Sequence, residues 1–534
     1  MKAIQIARKS GRRRGFAFAL VAALAVTACG SSDDASESIT EETTDVTSEE
    51  TTAPSEEAKS TTLIVTLAQE PASWDYYTVG ANALRVPTFY NVSEAIVELR
   101  PDGTIVPMLA ESWEISADGL VYTFKIRSGV KFHDGTDMDS ADVMYSMKIN
   151  AKSPNSKLSA PHGYVASVTA PDASTVVITL KQPSSTYLKN LGMSAGYVVP
   201  ENWLDSPDLT LKVMGTGPFV FSDYKADTTL TLTRFEDYWG AKPYFEVIDF
   251  RFIDDETAAL NGLLAGEYDV VSKVLAEGIE RVESFTTDSN FKVQFESANE
   301  NSFMWLSVKE KAFQDIRVRQ AIAHAINREE ALAVYDGYAD VACLLVIPDA
   351  EPYNSDYCPY PYDPEKSKAL LKEAGYENLE IDFPFVTVAS HPFTMEVLTQ
   401  QLTAVGIKVK SRGLDLNTWI AETWTGGKYG MGEVRDSADI LQWGCKGGRN
   451  PLGNPKPGLC IKEFEDQLAK ADAFINYDEH LKAMNTLVKT FADLAWVNSI
   501  AAVKVPQIMK ANVTGIPTVS INNAFDLRTA TWGS

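Results

Sequence analysis

Cysteine and histidine are scarce in this chain, with five of each among 534 residues. No two cysteines are close enough for a C-x-x-C motif and no histidine lies near them, which disfavours a zinc site. No histidine cluster supports direct coordination of nickel, although a chelated metal could bind without one. We expect neither a metal nor a cofactor.

Positive charge is also in deficit, because 48 Lys and Arg stand against 72 Asp and Glu, a formal net charge of -24. Such a surface disfavours nucleic acid and anionic lipid as partners, so we expect no nucleic-acid partner. Past the N-terminus no stretch approaches about 18 consecutive apolar residues, so no transmembrane helix is expected in the body of the chain.

The N-terminus carries an apolar run, Phe16–Ala28, behind a basic stretch. Its 13 residues fall short of the roughly 20 that a spanning helix needs, which indicates a signal peptide over residues 1–28. The tetrad that ends at Cys29 resembles a bacterial lipobox, whose cysteine carries the lipid (palmitate) after cleavage. The expected location is the outer face of the cell membrane, facing the periplasmic or extracellular space. An ordinary signal with an incidental cysteine, and twin-arginine export through Arg13 and Arg14, stay open.

Residues 29–60 consist almost entirely of Ser, Thr, Asp, Glu and Ala. Too few apolar groups are present to offset the entropy of ordering, and the like charges repel. We interpret this segment as a disordered tether that holds a folded body away from a lipid surface.

The remaining cysteines fall into two pairs, Cys343 with Cys358 and Cys445 with Cys460, each 15 positions apart. In an exported chain, this arrangement predicts two local disulfides.

From residue 61 onward the chain is too long for one comfortable core, so two or more lobes are expected. Alternating apolar residues from Leu63 predict a strand, and Asp118-Gly119 predicts the turn of a hairpin over residues 113–126. Ser140 is the expected cap of one helix, and another is predicted between Pro364 and Gly375. Strands and helices alternate throughout, which favours an α/β fold.

Several stretches carry a family likeness, in a constant order along the body. They include "NVSEAIVELRPDGTIVPMLAESWEISADGLVYTFKIRSGVKFHDGT", "GTGPFVF", "FQDIRVRQAIAHAINREE", "YDPEKSKALLKEAGY" and "QQLTAVGIKVKSRGLDLNTW". Together they closely resemble the peptide/nickel-type, family 5 solute-binding proteins of ABC importers. The resemblance implies a bilobal periplasmic-binding-protein type II fold, α/β, with an inserted subdomain in the first lobe.

The family architecture can be laid onto this chain. Lobe I would comprise residues 61–90, 212–298 and 500–534, the inserted subdomain residues 91–211, and lobe II residues 299–499. The chain would cross between the lobes twice, which allows them to close as rigid bodies about a few hinge residues.

The resemblance also suggests where a solute would lie. Members that take peptides bury the amino group against an aspartate of lobe II, and Asp439 matches it best, with Asp436 second and Trp443 nearby. His391 stands where some members place an arginine for the peptide carboxylate, and it could hydrogen-bond an anion at a helix start. The alternatives left open are that both aspartates are solvated loop acids and that His391 is a simple cap neighbour. By family position, aromatic walls would come from Trp74, Tyr76, Tyr90, Phe303, Trp305 and Trp424, unless these are core residues.

Three motifs resemble catalytic or metal chemistry. "GMSAG" matches the GxSxG elbow of serine hydrolases at Ser194, but a helix-like segment precedes it where a strand is required. His133 beside Asp134 is expected to form a turn and to be satisfied by backbone. His324, on a predicted helix, is expected to be packed or at the surface.

The leading hypothesis is a lipid-anchored, monomeric receptor, not an enzyme. It would capture a small solute, by family default an oligopeptide, and deliver it to an ABC permease while touching the membrane only through its anchor. A surface sensor or adhesion protein that reuses the fold is the alternative, and a secreted hydrolase using Ser194 is the third.

Overall fold

The structure, a computed structural model, describes residues 61–79, 82–274, 279–335, 337–345, 357–387, 391–425, 427–437, 462–518 and 524–533. Within these ranges, no helix combines the length and hydrophobicity needed to cross a membrane. The predicted signal peptide, lipidated Cys29 and acidic tether lie outside the described residues.

The strands, in chain order, are β1 (Thr62–Leu67), β2 (Val97–Leu99), β3 (Ile105–Pro107), β4 (Ala110–Ile115), β5 (Val121–Ile126), β6 (Val165–Asp172), β7 (Thr175–Leu180), β8 (Phe219–Lys225), β9 (Thr229–Arg234), β10 (Val247–Phe252), β11 (Val270–Val271), β12 (Phe291–Leu306), β13 (Ala339–Val341), β14 (Glu380–Val386), β15 (Lys408–Leu414), β16 (Met431–Ser437), β17 (Val497–Lys510), β18 (Val513–Thr514) and β19 (Thr531–Trp532).

The α-helices are α1 (Asn82–Thr88), α2 (Ser140–Asn150), α3 (Ser156–His162), α4 (Tyr187–Leu191), α5 (Glu256–Ala265), α6 (Ile279–Thr286), α7 (Ile316–His324), α8 (Arg328–Leu332), α9 (Pro364–Ala374), α10 (His391–Ala404), α11 (Leu416–Trp419), α12 (Lys462–Asp472) and α13 (Tyr477–Asp493). Short 3-10 helices span Ser194–Gly196, Trp203–Asp205, Lys311–Gln314 and Ala333–Tyr335, and a π-helical segment spans Ile420–Thr425.

A large mixed sheet organises the molecule. Among the described residues it runs in the order β16-β12-β17-β11-β1-β10-β9-β8, with β13 also paired to β17. β1 lies between β10 and β11 and pairs in parallel with both. Leu63 and Val65 are fully buried because this central strand packs against a core. The alternating apolar residues that predicted the strand are the ones that face this core.

Separate hydrophobic cores form on the two parts of this sheet. The first draws its buried residues from 63–270 and 509–530, and the second draws them from 303–503. The long strands β12 and β17 connect them. β17, for example, places Val503 in the second core and Met509 in the first.

A second sheet, in the order β4-β5-β7-β6, is antiparallel throughout, and α2 contacts β6 and β7. It falls within residues 91–211, the stretch predicted to be an inserted subdomain, whose limits stay a prediction.

The "GTGPFVF" stretch is explained by a close approach of two backbones. A Cβ on Gly215 would lie 2.2 Å from the carbonyl oxygen of Val92, and one on Gly217 would lie 2.7 Å from that of Asn91. Hydrogen bonds join the segments, since the amide of Gly217 donates to Val92 O at 2.9 Å. No side chain fits between them, so both positions require glycine.

Most local predictions are confirmed. Gly119 adopts a positive φ of 70° in the β4–β5 turn, and α9 begins at Pro364 and ends before Gly375, which is left-handed at 77°. The cap of α2 was predicted wrongly. Asp139 is the N-cap and accepts from the amide of Ala141, because a carboxylate one residue earlier completes a capping box.

Candidate functional site

The two cores are joined where β12 and β17 cross between them. Residues 291–296 of β12 pair with 505–510 of β17, and residues 300–305 pair with 497–503. The register shifts between Glu296 and Glu300, so three residues of β12 stand opposite Lys504 alone. The amide of Lys504 donates instead to Tyr338 O at 2.8 Å. Because the hydrogen-bond ladder is interrupted between the two cores, a change in the angle between the cores costs the least free energy at this point.

The end of β16 reaches this crossing. Asp436 pairs in register with Asn301, next to the interruption in β12. The side-chain amide of Asn301 is buried and donates to the carbonyl oxygen of Leu344 at 3.2 Å. The structure describes the backbone of Asp436 but not its side chain, and Asp439 and Trp443 lie outside the described residues. The backbone nevertheless brings one predicted aspartate to the junction between the cores.

A buried polar cluster lies on the neighbouring part of the same strands. Glu433 is fully buried, and Oε1 accepts from the hydroxyl of Ser302 at 3.0 Å. The hydroxyl of Tyr335 shares a hydrogen bond with that of Thr394 at 3.3 Å. Burial raises the pKa of Tyr335, and the negative charge of Glu433 raises it further. Sequence reasoning missed this cluster, because Glu433 shares its strand with Arg435, Asp436 and Ser437, a polar composition that gives no signal of burial.

The aromatic residues predicted as pocket walls are largely packed into the cores. Trp74, Tyr76 and Tyr90 belong to the first core, and each is at most 5% exposed. Phe303 and Trp305 belong to the second core, at 1% or less. Their role towards a solute stays a prediction, and in this structure they occupy the core positions left open as the alternative.

Two further predicted residues are described only by their backbones. His391 is the first residue of α10, and Trp424 lies in the π-helical segment. The start of a helix offers free amide groups, which is consistent with the expected placement of His391.

A small cavity of about 20 Å³, room for about one water molecule, lies beside Trp74 and Tyr76, and its lining includes no residue of β12 or β17. Two of its polar lining residues, Asp75 and Asn150, already have hydrogen-bond partners. Asp75 accepts from the amide of Tyr77 at 2.8 Å, and Asn150 donates to the carbonyls of Ala195 and Tyr197, each at 3.2 Å. A cavity of this size is far below the roughly 300 Å³ of typical ligand pockets, so it is not a candidate for the solute site.

One predicted disulfide is confirmed, between Cys343 and Cys358, whose Cα atoms are 5.1 Å apart. It closes a loop that begins beside Leu344, the residue whose carbonyl binds Asn301. The predicted partners Cys445 and Cys460 lie outside the described residues. Among the described residues, no group of three His, Cys, Asp or Glu side chains is placed to hold a metal ion.

The motif around Ser194 lacks the geometry of a hydrolase elbow. α4 precedes it in place of a strand, Ser194 is 3% exposed, and its hydroxyl accepts from Arg85 at 3.4 Å. The nearby imidazole of His162 uses Nε2 on the carbonyl of Ala195 at 2.9 Å.

The histidines of the other two motifs, His133 and His324, lie as expected in a turn and packed on a helix. His133 Nε2 lies 2.9 Å from the carbonyl oxygen of Gly217, in a turn where Asp134 accepts from the amide of Thr136. His324 is buried on α7, with Nδ1 2.7 Å from the carbonyl oxygen of Pro361.

Comparison with known proteins agrees with this geometry. The model of bacterial extracellular solute-binding proteins, family 5 Middle, matches residues 104–442. The dipeptide-binding protein of Escherichia coli (strain K12) is 29% identical over 418 residues, 71% of this chain and 76% of the relative. Heme-binding protein A of Haemophilus influenzae is 32% identical over 360 residues, 60% of this chain and 65% of the relative.

A solved structure is similar over most of the chain. It is the ABC transporter-associated periplasmic binding protein DppA from Helicobacter pylori in complex with the peptide STSA. The match has a TM-score of 0.78 at 25% identity and covers 89% of this chain and 98% of that one. The similarity confirms the predicted fold class, an α/β fold of the bilobal type II periplasmic-binding-protein kind.

Proposed function

Because this chain belongs to the bacterial extracellular solute-binding proteins of family 5, we propose that it captures an oligopeptide or peptide-like solute between its two lobes. It then delivers the solute to the permease of an ABC importer. The proposed lobes are residues 61–90, 212–298 and 500–534, with the insertion 91–211, against residues 299–499. The observation that carries the proposal is the acidic end of β16, where Asp436 stands opposite Asn301 at the crossing of the cores.

The chemistry of that end suits a cationic amine. A carboxylate that meets an ammonium group inside a closed cleft offsets the desolvation of both, and their hydrogen bond is charge-assisted. The proposed amine partners are Asp439 and Asp436, with His391 and the amides at the start of α10 facing the solute carboxylate. A free peptide carries one charge of each sign at opposite ends, which these two groups would complement.

Isothermal titration of the purified chain tests the solute class. The panel contains the tetrapeptide Ser-Thr-Ser-Ala, a mixed dipeptide set and haem, because relatives are named for dipeptides and haem and the similar structure holds that peptide. Peptide binding that weakens about 10- to 100-fold in Asp436→Asn or Asp439→Asn supports the proposal, a range typical of a lost charged hydrogen bond. Asp382→Asn, an exposed acid paired with Arg412, is the control. Haem binding alone, or peptide binding indifferent to both aspartates, contradicts it.

The chain is proposed to bind without transforming its solute. Mass spectrometry of the recovered peptide after prolonged incubation should find it intact. Any cleavage that disappears in Ser194→Ala would support the hydrolase alternative instead.

Lipid attachment through Cys29 is proposed as the anchor, with the acidic segment 30–60 as spacer. Cys29→Ser should release the protein from membranes into the soluble extracytoplasmic fraction. Retention of the variant in the membrane fraction would contradict the anchor. Uptake of the identified solute should stop in cells that lack the chain, and unchanged uptake would favour a sensor or adhesion role.

A further inference from the structure

A contact away from β12 and β17 links the two cores. Gly119, in the turn between β4 and β5, lies against Ile475, the loop residue that precedes α13. A Cβ placed on Gly119 would be 3.0 Å from Cγ1 of Ile475 and 3.3 Å from Cβ of Pro183. The side chain of Ile475 therefore rests on a surface that has room for it only because residue 119 is glycine. Ile475 is still 54% exposed, so it lies at the edge of this contact.

A polar contact lies beside it. The ammonium group of Lys189, on α4, donates to the hydroxyl of Tyr477 at 3.0 Å. The same nitrogen lies 5.5 Å from the centroid of the Tyr477 ring, within the range of a cation–π interaction. Tyr477 is the first residue of α13, and its ring stacks on His480 of the same helix.

The two sides of this contact belong to different cores. Tyr187 and Leu191 anchor α4 in the first core, whereas Met484 and Leu487 anchor α13 in the second. If the cores rotate about the interrupted register of β12, the Lys189–Tyr477 and Gly119–Ile475 contacts must separate. A contact that exists only at one angle between the two cores stabilises the arrangement of the protein that has this angle.

We propose that Ile475 and Tyr477, seated on Gly119 and Lys189, form a latch that holds the two lobes in the closed arrangement. This inference rests on the proposed function only for the role of lobe closure in solute capture. Each latch contact stabilises the closed state modestly, so that the solute-free protein is closed in part and can still open to release a solute. A partly exposed hydrogen bond of this kind shifts the ratio of closed to open molecules by about fivefold.

The test compares solute-free variants of the full chain by small-angle scattering and hydrogen exchange. Lys189→Ala and Tyr477→Phe should each enlarge the radius of gyration and speed exchange about fivefold in segments 116–121 and 474–482. Lys181→Ala is the matched control, because its ammonium group bonds to Gly163 O within the same subdomain. The double variant should open the molecule no further than Lys189→Ala alone, since both changes remove the same bond.

Exchange that rises only around the substituted residue, with scattering equal to the control, would overturn the latch. So would additive effects of Lys189→Ala and Tyr477→Phe. Both readouts need no solute, which separates this inference from the proposed function. If no peptide binds but the variants still open the molecule, the latch stands and the solute assignment fails.

Discussion

Glu94 makes the stability of the first core depend on pH. Its carboxylate is fully buried and accepts three hydrogen bonds at 2.8 Å, from Thr216 Oγ1, the Tyr238 hydroxyl and Trp239 Nε1. Burial outweighs these donors and raises the pKa of Glu94 from 4.5 to about 7. Between these values the folded protein holds a proton that the unfolded chain releases. The stabilisation is therefore complete below pH 4.5 and is lost as the pH rises through about 7.

The magnitude follows from the size of the shift. One pKa unit corresponds to about 1.4 kcal/mol, so a rise from 4.5 to about 7 corresponds to about 3 kcal/mol across the window. Glu94→Gln keeps the shape and removes the titration. The amide oxygen can still accept from Thr216 and Trp239, while the amide nitrogen donates to a Tyr238 hydroxyl that turns to accept.

Urea unfolding of the wild type and Glu94→Gln at pH 4.5, 6, 7 and 8 measures the effect. The free energy of unfolding of the wild type should fall relative to the variant by about 3 kcal/mol between the two extremes. Glu114→Gln, a change at an exposed carboxylate, is the matched control. Parallel pH curves for wild type and Glu94→Gln would refute the reasoning, because they would mean that Glu94 is ionised in both states throughout.

The remaining predictions use the same unfolding assay. Burial lowers the pKa of His133 to about 4, so the neutral imidazole stabilises the fold above about pH 6.5, and this stabilisation is lost as the pH falls through about 4. His133→Gln should remove this loss of stability at acid pH, and an equal loss in wild type and variant would contradict the prediction. Gly215→Ala should lower the urea midpoint of unfolding by an amount equivalent to about 3 kcal/mol, because the added Cβ would lie 2.2 Å from the carbonyl oxygen of Val92. An unchanged midpoint would mean that the two backbones separate freely. The double variant Cys343→Ser/Cys358→Ser should lower the free energy of unfolding by about 3 kcal/mol, the loop-entropy value for about 15 residues. A decrease below about 1 kcal/mol would show that this disulfide constrains the unfolded chain little.

Features set by neighbouring residues were predictable from the sequence. The Asp118-Gly119 turn requires a positive φ, and α9 needs only Pro364 at its start and Gly375 after its end. The error at α2 has the same local origin, because Asp139 and Ser140 are both good caps and only the backbone angles decide between them.

Features that depend on distant residues were not predictable from local pattern. β1 pairs with β10 and β11, which lie about 185 to 205 positions further along the chain, and no property of β1 names these partners. Glu94 gives no signal in the sequence either, because a single glutamate among Ser93 and Ala95 looks like any surface acid. Only the approach of Thr216, Tyr238 and Trp239 buries it.

The candidate site also depends on distant residues that local sequence does not reveal. An aromatic residue suits a pocket wall and a core equally well, and the family position of Trp305 could not choose between them. The structure places its indole against Gly432, where an added Cβ would lie 2.7 Å from the ring. Asp436, the second choice after Asp439, stays a prediction as a solute ligand, and the β12–β16 register places its backbone at the crossing.

The arrangement of β12 and β17 places the proposed hinge and the proposed solute site side by side. Residues of β12 and β17 pair on both sides of the interruption, so the proposed change in angle between the cores falls where three residues face Lys504 or at the smaller register shift between Ser302 and Phe303. Asp436 and Asn301 lie beside that interruption, so a solute bound there, as proposed, would contact the proposed hinge. The Lys189–Tyr477 contact lies outside these strands, and under the proposed latch it would break when the angle between the cores changes. A small rotation at the crossing would then form or break these contacts, which would let a single bound solute decide between two arrangements.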